Sequence, residues 1–439
     1  MYSKKNAAGL VCRTLFGLTV FASAHLAAQT FDALPTAPSH ALTREPGTSL
    51  TLPAAIDLAL AFNPELSAAA NEVRAVDGAV IQAGIVPNPE ISTSVEDTQN
   101  KATRTTTIQL SQRIELGGKR AARIASAERS RDVATADLAA KRLDVRASVT
   151  GAFFDVLVAQ ERIQQAEDLL GLARRVSLAA SRRVSAGKIS PVEETKARVA
   201  EASALVELNQ AQRELVVARK RLAASWGSSN PRFARVEGRT DLLPALLSSE
   251  EIAQRLGASP ALLRARHEAD RFSALADLER TRRVPDLTVS LGSKMAEELG
   301  RSQTVVGVSI PFPLFDRNQG NVLEALRRAD KARDELSATE VRLRADVTQN
   351  EERLKALVVE AETLQGEIVP GARSAYEAAS KGFELGKFSF LEVLDAQRTF
   401  FQARAQYLRS LSDAHRTAAE LERVLGSGDS DPSAAPRRP

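Results

Sequence analysis

The sequence predicts a mainly α-helical chain with a transmembrane β part, built as one unit used twice. Three observations carry this. A nine-residue stretch, Ser185 to Glu193, returns as Glu384 to Glu392, with its glycines 199 residues apart. Each copy sits between long, charged, alanine-rich stretches. Two regions, one near Ile91–Ile114 and one near Leu287–Phe312, switch from the helical period to a period of two.

Each copy of the repeated stretch reads as the bend of a helical hairpin. Gly187 and Gly386 supply the positive φ that stops a helix. Ser190 with Glu193, and Ser389 with Glu392, have capping-box spacing, and Pro191 takes the favoured first helical position. Glycine and serine punctuate many helices, so one copy alone would mean little. Recurrence at matched positions in two halves is what points to a duplicated hairpin.

Aromatic residues make up 4% and charged residues 26% of the 439-residue chain, a balance suited to long packed helices. Residues 1–28 read as a secretory signal, with Lys4, Lys5 and Arg13 ahead of and beside an apolar Leu15–Ala24 and cleavage after Ala24 or Ala28. Its removal takes three basic and no acidic residues, so the formal charge falls from +4 to +1. The remaining chain has no basic patch for nucleic acid. Cys12 is the only cysteine and leaves with the signal. Leu10-Val11-Cys12 lacks the small residue that precedes a lipid-modified cysteine, so the mature chain reads as unacylated and without disulfides. No later apolar run is long enough to cross a bilayer as a helix, which leaves strands as the only crossing element.

In chain order, residues 29–49 form an extended leader, and the first repeat occupies 50–226. Within it, Leu50–Phe62 is a short amphipathic helix, and Asn63-Pro64-Glu65-Leu66 opens a second that runs to about Val86. Ile91, Thr93 and Val95 then alternate with polar residues, as do Ile108, Leu110 and Ile114 after a turn, giving a β-hairpin. Gly117-Gly118 breaks the strand. A helix of about 100 Å follows from Lys119 to about Arg183, with Val149, Phe153, Val156, Ile163, Leu170 and Ala173 on one stripe. The returning helix runs from Ser190 to Trp226, and 227–249 is a polar connector. The second repeat, 250–426, follows the same order. Ser259-Pro260-Ala261-Leu262 matches Asn63-Pro64-Glu65-Leu66, strands flank a turn at Ala296–Arg301, Pro311 and Pro313 end the fourth strand, and a long hairpin bends at Gly386. Residues 427–439 read as a disordered tail.

Four strands of about ten residues, apolar on one face and small or polar on the other, have the length and alternation of outer-membrane strands. Four cannot close a barrel, and an open edge in lipid leaves backbone groups unpaired. Closure therefore falls to copies of the chain: two give the minimal eight strands and three give 12. The long hairpins favour three, because they need neighbours on both sides to bury their stripes.

The segments that carry a family resemblance include Pro87-Asn88-Pro89-Glu90, and the most branch-specific are the Gln112–Arg120 run QRIELGGKR and the Ile310–Gly320 run IPFPLFDRNQG, at strand-to-helix junctions. With Asn63-Pro64-Glu65-Leu66 and the two turns, they make the chain resemble the TolC-type outer-membrane efflux proteins over nearly all its mature length. The resemblance is to the branch serving cobalt–zinc–cadmium-type cation efflux. It implies a homotrimer with a 12-strand β-barrel in the outer membrane, continued by a 12-helix α-barrel through the periplasm. It also implies two partners, a periplasmic adaptor (membrane fusion) protein and an inner-membrane RND pump, and contact with outer-membrane lipid. Gly187, Lys188 and Ser190, with Gly386, Lys387 and Ser389, then form an adaptor-contact tip. Glu392 and Asp395, three residues apart on one helical face, lie where such channels carry the acidic rings of their periplasmic mouth. The matching sites of the first copy are Glu193 and Lys196.

No catalytic constellation is present. His40, His267 and His415 are scattered, and Gly117-Gly118-Lys119-Arg120 lacks the upstream glycine and the Ser/Thr of a phosphate loop. Glu193-Glu194 and Glu297-Glu298 read as solvated charge, and no cluster has metal-ligand spacing. The sequence thus predicts no enzyme, no cofactor and no resident metal, but a passive export duct for heavy-metal cations. The competing reading is a soluble periplasmic helical-hairpin adaptor or scaffold.

Overall fold

The computed structural model describes residues 45–238, 242–385 and 387–426. The expected signal, the leader up to residue 44, Gly386 and the tail from 427 lie outside the described residues. The elements are β1 (Ser49–Thr51), α1 (Leu52–Phe62), α2 (Pro64–Ala83), β2 (Glu90–Glu96), β3 (Thr105–Ile114), α3 (Lys119–Ser185) and α4 (Pro191–Ala224). There follow β4 (Arg235–Glu237), α5 (Ser249–Leu256), α6 (Pro260–Thr281), β5 (Leu287–Ala296) and β6 (Arg301–Ser309). The chain continues through α7 (Gln319–Thr363), α8 (Val369–Glu384) and α9 (Phe390–Leu425). Two helices, two strands, a long helix, a turn and a returning helix occur twice.

Matched caps start matched helices. The Asn63 side chain accepts from the Glu65 and Leu66 N–H groups at 2.8 and 3.0 Å. Ser259 accepts from the Leu262 N–H at 3.2 Å, and in both a proline takes the first helical turn. Leu66 and Leu262 are both buried and seed two equivalent cores. One gathers Ala55, Ala59, Val149, Phe153, Val156 and Leu222 from α1, α3 and α4. The other gathers Ile252, Leu343, Val347, Leu354, Leu421 and Val424 from α5, α7 and α9. Near the strands the helices lie in the order α2-α3-α6-α7. Toward the turns the order is α4-α3-α9-α8, so four helices pack side by side at both levels.

Three features depart from the sequence expectation. Leu50 and Thr51, expected in the first helix, instead form β1 with Ser49 and pair in parallel with the connector: Ser49, Leu50 and Thr51 register with Arg235, Val236 and Glu237 of β4. Trp226, expected inside a helix, sits beyond Ala224 at the end of α4, 2% exposed. Its indole N–H donates to Glu45 Oε1 at 2.5 Å, while Glu45 Oε2 accepts from the Arg232 N–H at 2.6 Å. A buried carboxylate with two donors forms a clasp between chain segments far apart in sequence. The third departure is a π-helical turn at Leu364–Ile368, between α7 and α8, with Leu364 buried. The first long helix, α3, runs 67 residues as one α-helix.

Candidate functional site

The four long strands form one antiparallel sheet in the order β2-β3-β5-β6. Directly opposed residues share a face, and the register sorts the side chains into two populations. Ile91 pairs with Leu110, Leu110 with Leu291, and Leu291 with Val306. These, with Ile108 and Val308, give one face an apolar set interspersed with Thr93, Gln112 and Ser293, and all six are exposed, from 49% at Leu110 to 77% at Ile91. The opposite face carries Ser92, Gln109, Gly292 and Val305 in one row, and Ser111, Ser290 and Gly307 in another. There the backbone is crowded: a Cβ on Gly292 would lie 2.6 Å from the Ile108 carbonyl oxygen, and one on Gly307 2.6 Å from Ser290 Oγ. Glycine permits that approach. β2 and β6 each keep one edge without a partner strand among the described residues.

Two built junctions carry the sheet into the helices. In the first, Glu115 receives both Arg123 guanidinium nitrogens, at 2.6 and 3.0 Å, and Arg123 also donates to the Ala83 carbonyl at 2.8 Å. That hydrogen bonding holds the Glu115 carboxyl below its ordinary range. Asp286, just before β5, accepts from Lys119 Nζ at 2.6 Å and the Leu116 N–H at 3.3 Å. Burial works against its charged form, but these two donors outweigh burial and its pKa is lowered. Gly117 at φ +71° lets the chain pass close to Val284. In the second junction Asn318, itself at φ 57°, donates to the Glu279 backbone and side chain at 2.8 Å each. The runs singled out in the sequence are thus joints that aim long helices from the ends of strands. Beside them, Phe312 and Phe315 stand 85% and 87% exposed.

At the far end the two turns close alike. The Lys188 N–H donates to the Arg183 carbonyl, and the Lys387 N–H to the Gly382 carbonyl, both at 2.8 Å across five residues. Gly187 has φ +71°, as its role requires; Gly386 lies outside the described residues. The helix starts differ. Ser389 and Glu392 form the complete capping box: Glu392 Oε2 accepts from the Ser389 N–H at 2.6 Å, which lowers the Glu392 pKa. In the first copy the expected box is not made. Ser190 accepts from the Val192 N–H instead, and Glu193 turns to Lys196 at 3.0 Å. A lysine three residues along competes for the carboxylate. Asp395, where the second copy has no such lysine, is exposed and makes no side-chain hydrogen bond or ion pair among the described residues.

The histidines stay apart. His415 stacks on Phe154 with ring centroids 3.9 Å apart and shares a 2.9 Å hydrogen bond with the Leu242 carbonyl. Burial lowers its pKa. Among the described residues no group of three His, Cys, Asp or Glu side chains is placed to hold a metal ion, and no helix is long and apolar enough to cross a membrane.

The family model described as outer membrane efflux protein matches residues 55–228 and 252–427. The chain belongs to this family. This outer membrane efflux protein is 48% identical over 383 residues to the cobalt-zinc-cadmium resistance protein CzcC of Cupriavidus metallidurans, covering 87% of this chain and 91% of that one. It is 30% identical over 323 residues to the nickel and cobalt resistance protein CnrC of the same organism, covering 72% and 74%. Among solved structures, the Campylobacter jejuni CmeC outer membrane channel superposes with a TM-score of 0.72 at 17% identity, covering 85% of each chain. That likeness speaks to the fold, and the TolC-type resemblance stands. The protein is an outer-membrane efflux component extending into the periplasm, not an enzyme.

Proposed function

We propose that three copies of this chain close their sheets into a 12-strand barrel and their helices into a 12-helix tunnel, forming a passive outer-membrane duct. The carrying observation is the four-stranded sheet: one face bears exposed Ile91, Ile108, Leu110, Leu291, Val306 and Val308, the other carries small and polar residues such as Ser92, Ser111, Gly292 and Gly307, and both edges are unpartnered among the described residues. An exposed apolar face suits lipid, and unpartnered edges suit a neighbouring copy. The cargo is heavy-metal cations of the cobalt, zinc and cadmium kind, by likeness to the resistance protein that is 48% identical. The energy comes from an inner-membrane RND pump through a periplasmic adaptor. Mass measurement under mild detergent extraction tests the assembly: a trimer is expected, and a monomer or dimer refutes closure by three copies.

The two turns are the adaptor-facing tip. Gly187 and Gly386 make the bends, Ser190 and Ser389 start the returning helices, and Lys188 and Lys387 are the side chains offered to the partner. Cysteines at Lys188 and Lys387 should crosslink to the adaptor, whereas crosslinking only from strand-loop positions such as Gln99 refutes this placement. Glu392 and Asp395 place six carboxylates near the tip of a trimer. With Glu392 held by its cap, the free Asp395 carries the larger share of the electrostatic role. Bilayer recordings should show cation selectivity and block by divalent or trivalent cations, both reduced in Asp395→Asn. Unchanged conductance and block in Glu392→Ala/Asp395→Ala refute the gate while leaving the duct intact.

A further inference from the structure

A long cleft of about 1210 Å³ runs between α4 and α9, with α3 as its floor. That volume suits an organic molecule better than a lone ion or water. The floor is small and apolar at Ala159 and Ala166, Ala204 of α4 stands beside it, and Phe401 and Leu408 extend it along α9. Two of the glutamines lining it are buried, Gln165 of α3 and Gln397 of α9, 7% and 1% exposed. The side-chain Nε2 of each has no hydrogen-bond partner among the described residues. Buried donors without an acceptor are costly, and both belong to the cleft.

Charge points the same way. Six arginines line the cleft against three carboxylates. Glu207 and Glu214 both hold Arg162, at 2.8 and 2.5 Å, and Asp155 holds Arg416 at 2.5 Å. Arg213 of α4, with Arg398 and Arg409 of α9, makes no ion pair among the described residues. The cleft therefore combines unfilled donors, surplus positive charge and an apolar floor.

We propose that it binds a soluble amphiphilic organic anion, a carboxylate, sulfate or sulfonate on an apolar body. The anionic head accepts from the Gln165 and Gln397 amides and the free arginines, and the body lies on the alanine floor. A bilayer lipid is the wrong source: Asp155, at the near end of the lining, is about 50 Å of helix beyond Lys119, where α3 leaves the sheet. A ligand there touches both α4 and α9 and so ties one hairpin to the other.

The test uses the full chain in nanodiscs of zwitterionic lipid. It is titrated with the fluorescent sulfonate 8-anilinonaphthalene-1-sulfonate and with neutral N-phenyl-1-naphthylamine, whose apolar rings are alike, each against empty nanodiscs. Saturable binding of one sulfonate per chain is expected, at least tenfold weaker in Gln397→Glu and in Arg398→Glu/Arg409→Glu. Both arginines are exposed, so the double variant reports even where Gln397→Glu fails to fold. Sulfonate affinity unchanged in the arginine variant, or equal affinity for the neutral dye, overturns the proposal.

Discussion

Gly117 meets two constraints, of which its neighbour Gly118 shares only one. Both have positive φ, +71° and +75°, but a Cβ on Gly117 would sit 2.7 Å from Val284 Cβ while one on Gly118 meets nothing within 4 Å. Gly118→Ala should cost about 1–2 kcal/mol from backbone strain alone. Gly117→Ala should add about 1–3 kcal/mol of overpacking, and the two thermal midpoints should separate accordingly. Glu115 and Asp286 give the same joint a pH signature. Their pKa values are lowered, so their stabilisation is complete above the ordinary carboxylate range, about pH 4. It is lost as pH falls through the depressed values. The thermal midpoint should therefore drop in that acid window for the native chain and much less in Glu115→Gln, which is the weaker of the two at neutral pH.

At the scale of elements, one turn motif folds in two ways. The Ser-x-x-Glu spacing was legible in both copies, yet only Ser389 and Glu392 complete the box. The first copy diverges because Lys196 draws Glu193 away. Glu392→Ala should thus loosen the first turn of α9 by about 1 kcal/mol, while Glu193→Ala forfeits only an exposed ion pair worth a few tenths. Hydrogen exchange at the first amides of α9 and α4 measures the contrast. The long helices and their caps were readable because period and punctuation agree over many residues. β1 and β4 were not, since three residues are too few to show a period and their pairing joins segments nearly two hundred residues apart. The π turn at Leu364–Ile368 was equally hidden, for an i to i+5 hydrogen bond leaves no mark on composition.

For the whole molecule, the proposed duct turns the sheet face of Ile108 and Val306 toward lipid, and that is directly measurable. Trp226 is the only tryptophan and is buried. New tryptophans at Ile108 or Val306 should be quenched by brominated lipids, and ones at Gln109 or Thr107, on the opposite face, should not. Quenching of both sets alike would refute the facing. The candidate tip and gate positions were legible from the repeat and the family resemblance. The α4–α9 cleft was not, because it is made by Gln165 and Gln397, which lie 232 residues apart and look in sequence like ordinary polar helix positions.

The Glu45 clasp also determines where the protein bears load. Residues 45–51 are held to the body through Trp226, Arg232 and the three-residue pairing of β1 with β4. A pull applied at Glu45 is therefore delivered to the stretch between the two repeats, not to the four-stranded sheet. Tension there acts on a short zip of hydrogen bonds at mid-chain, and it reaches the strands only after that zip has opened.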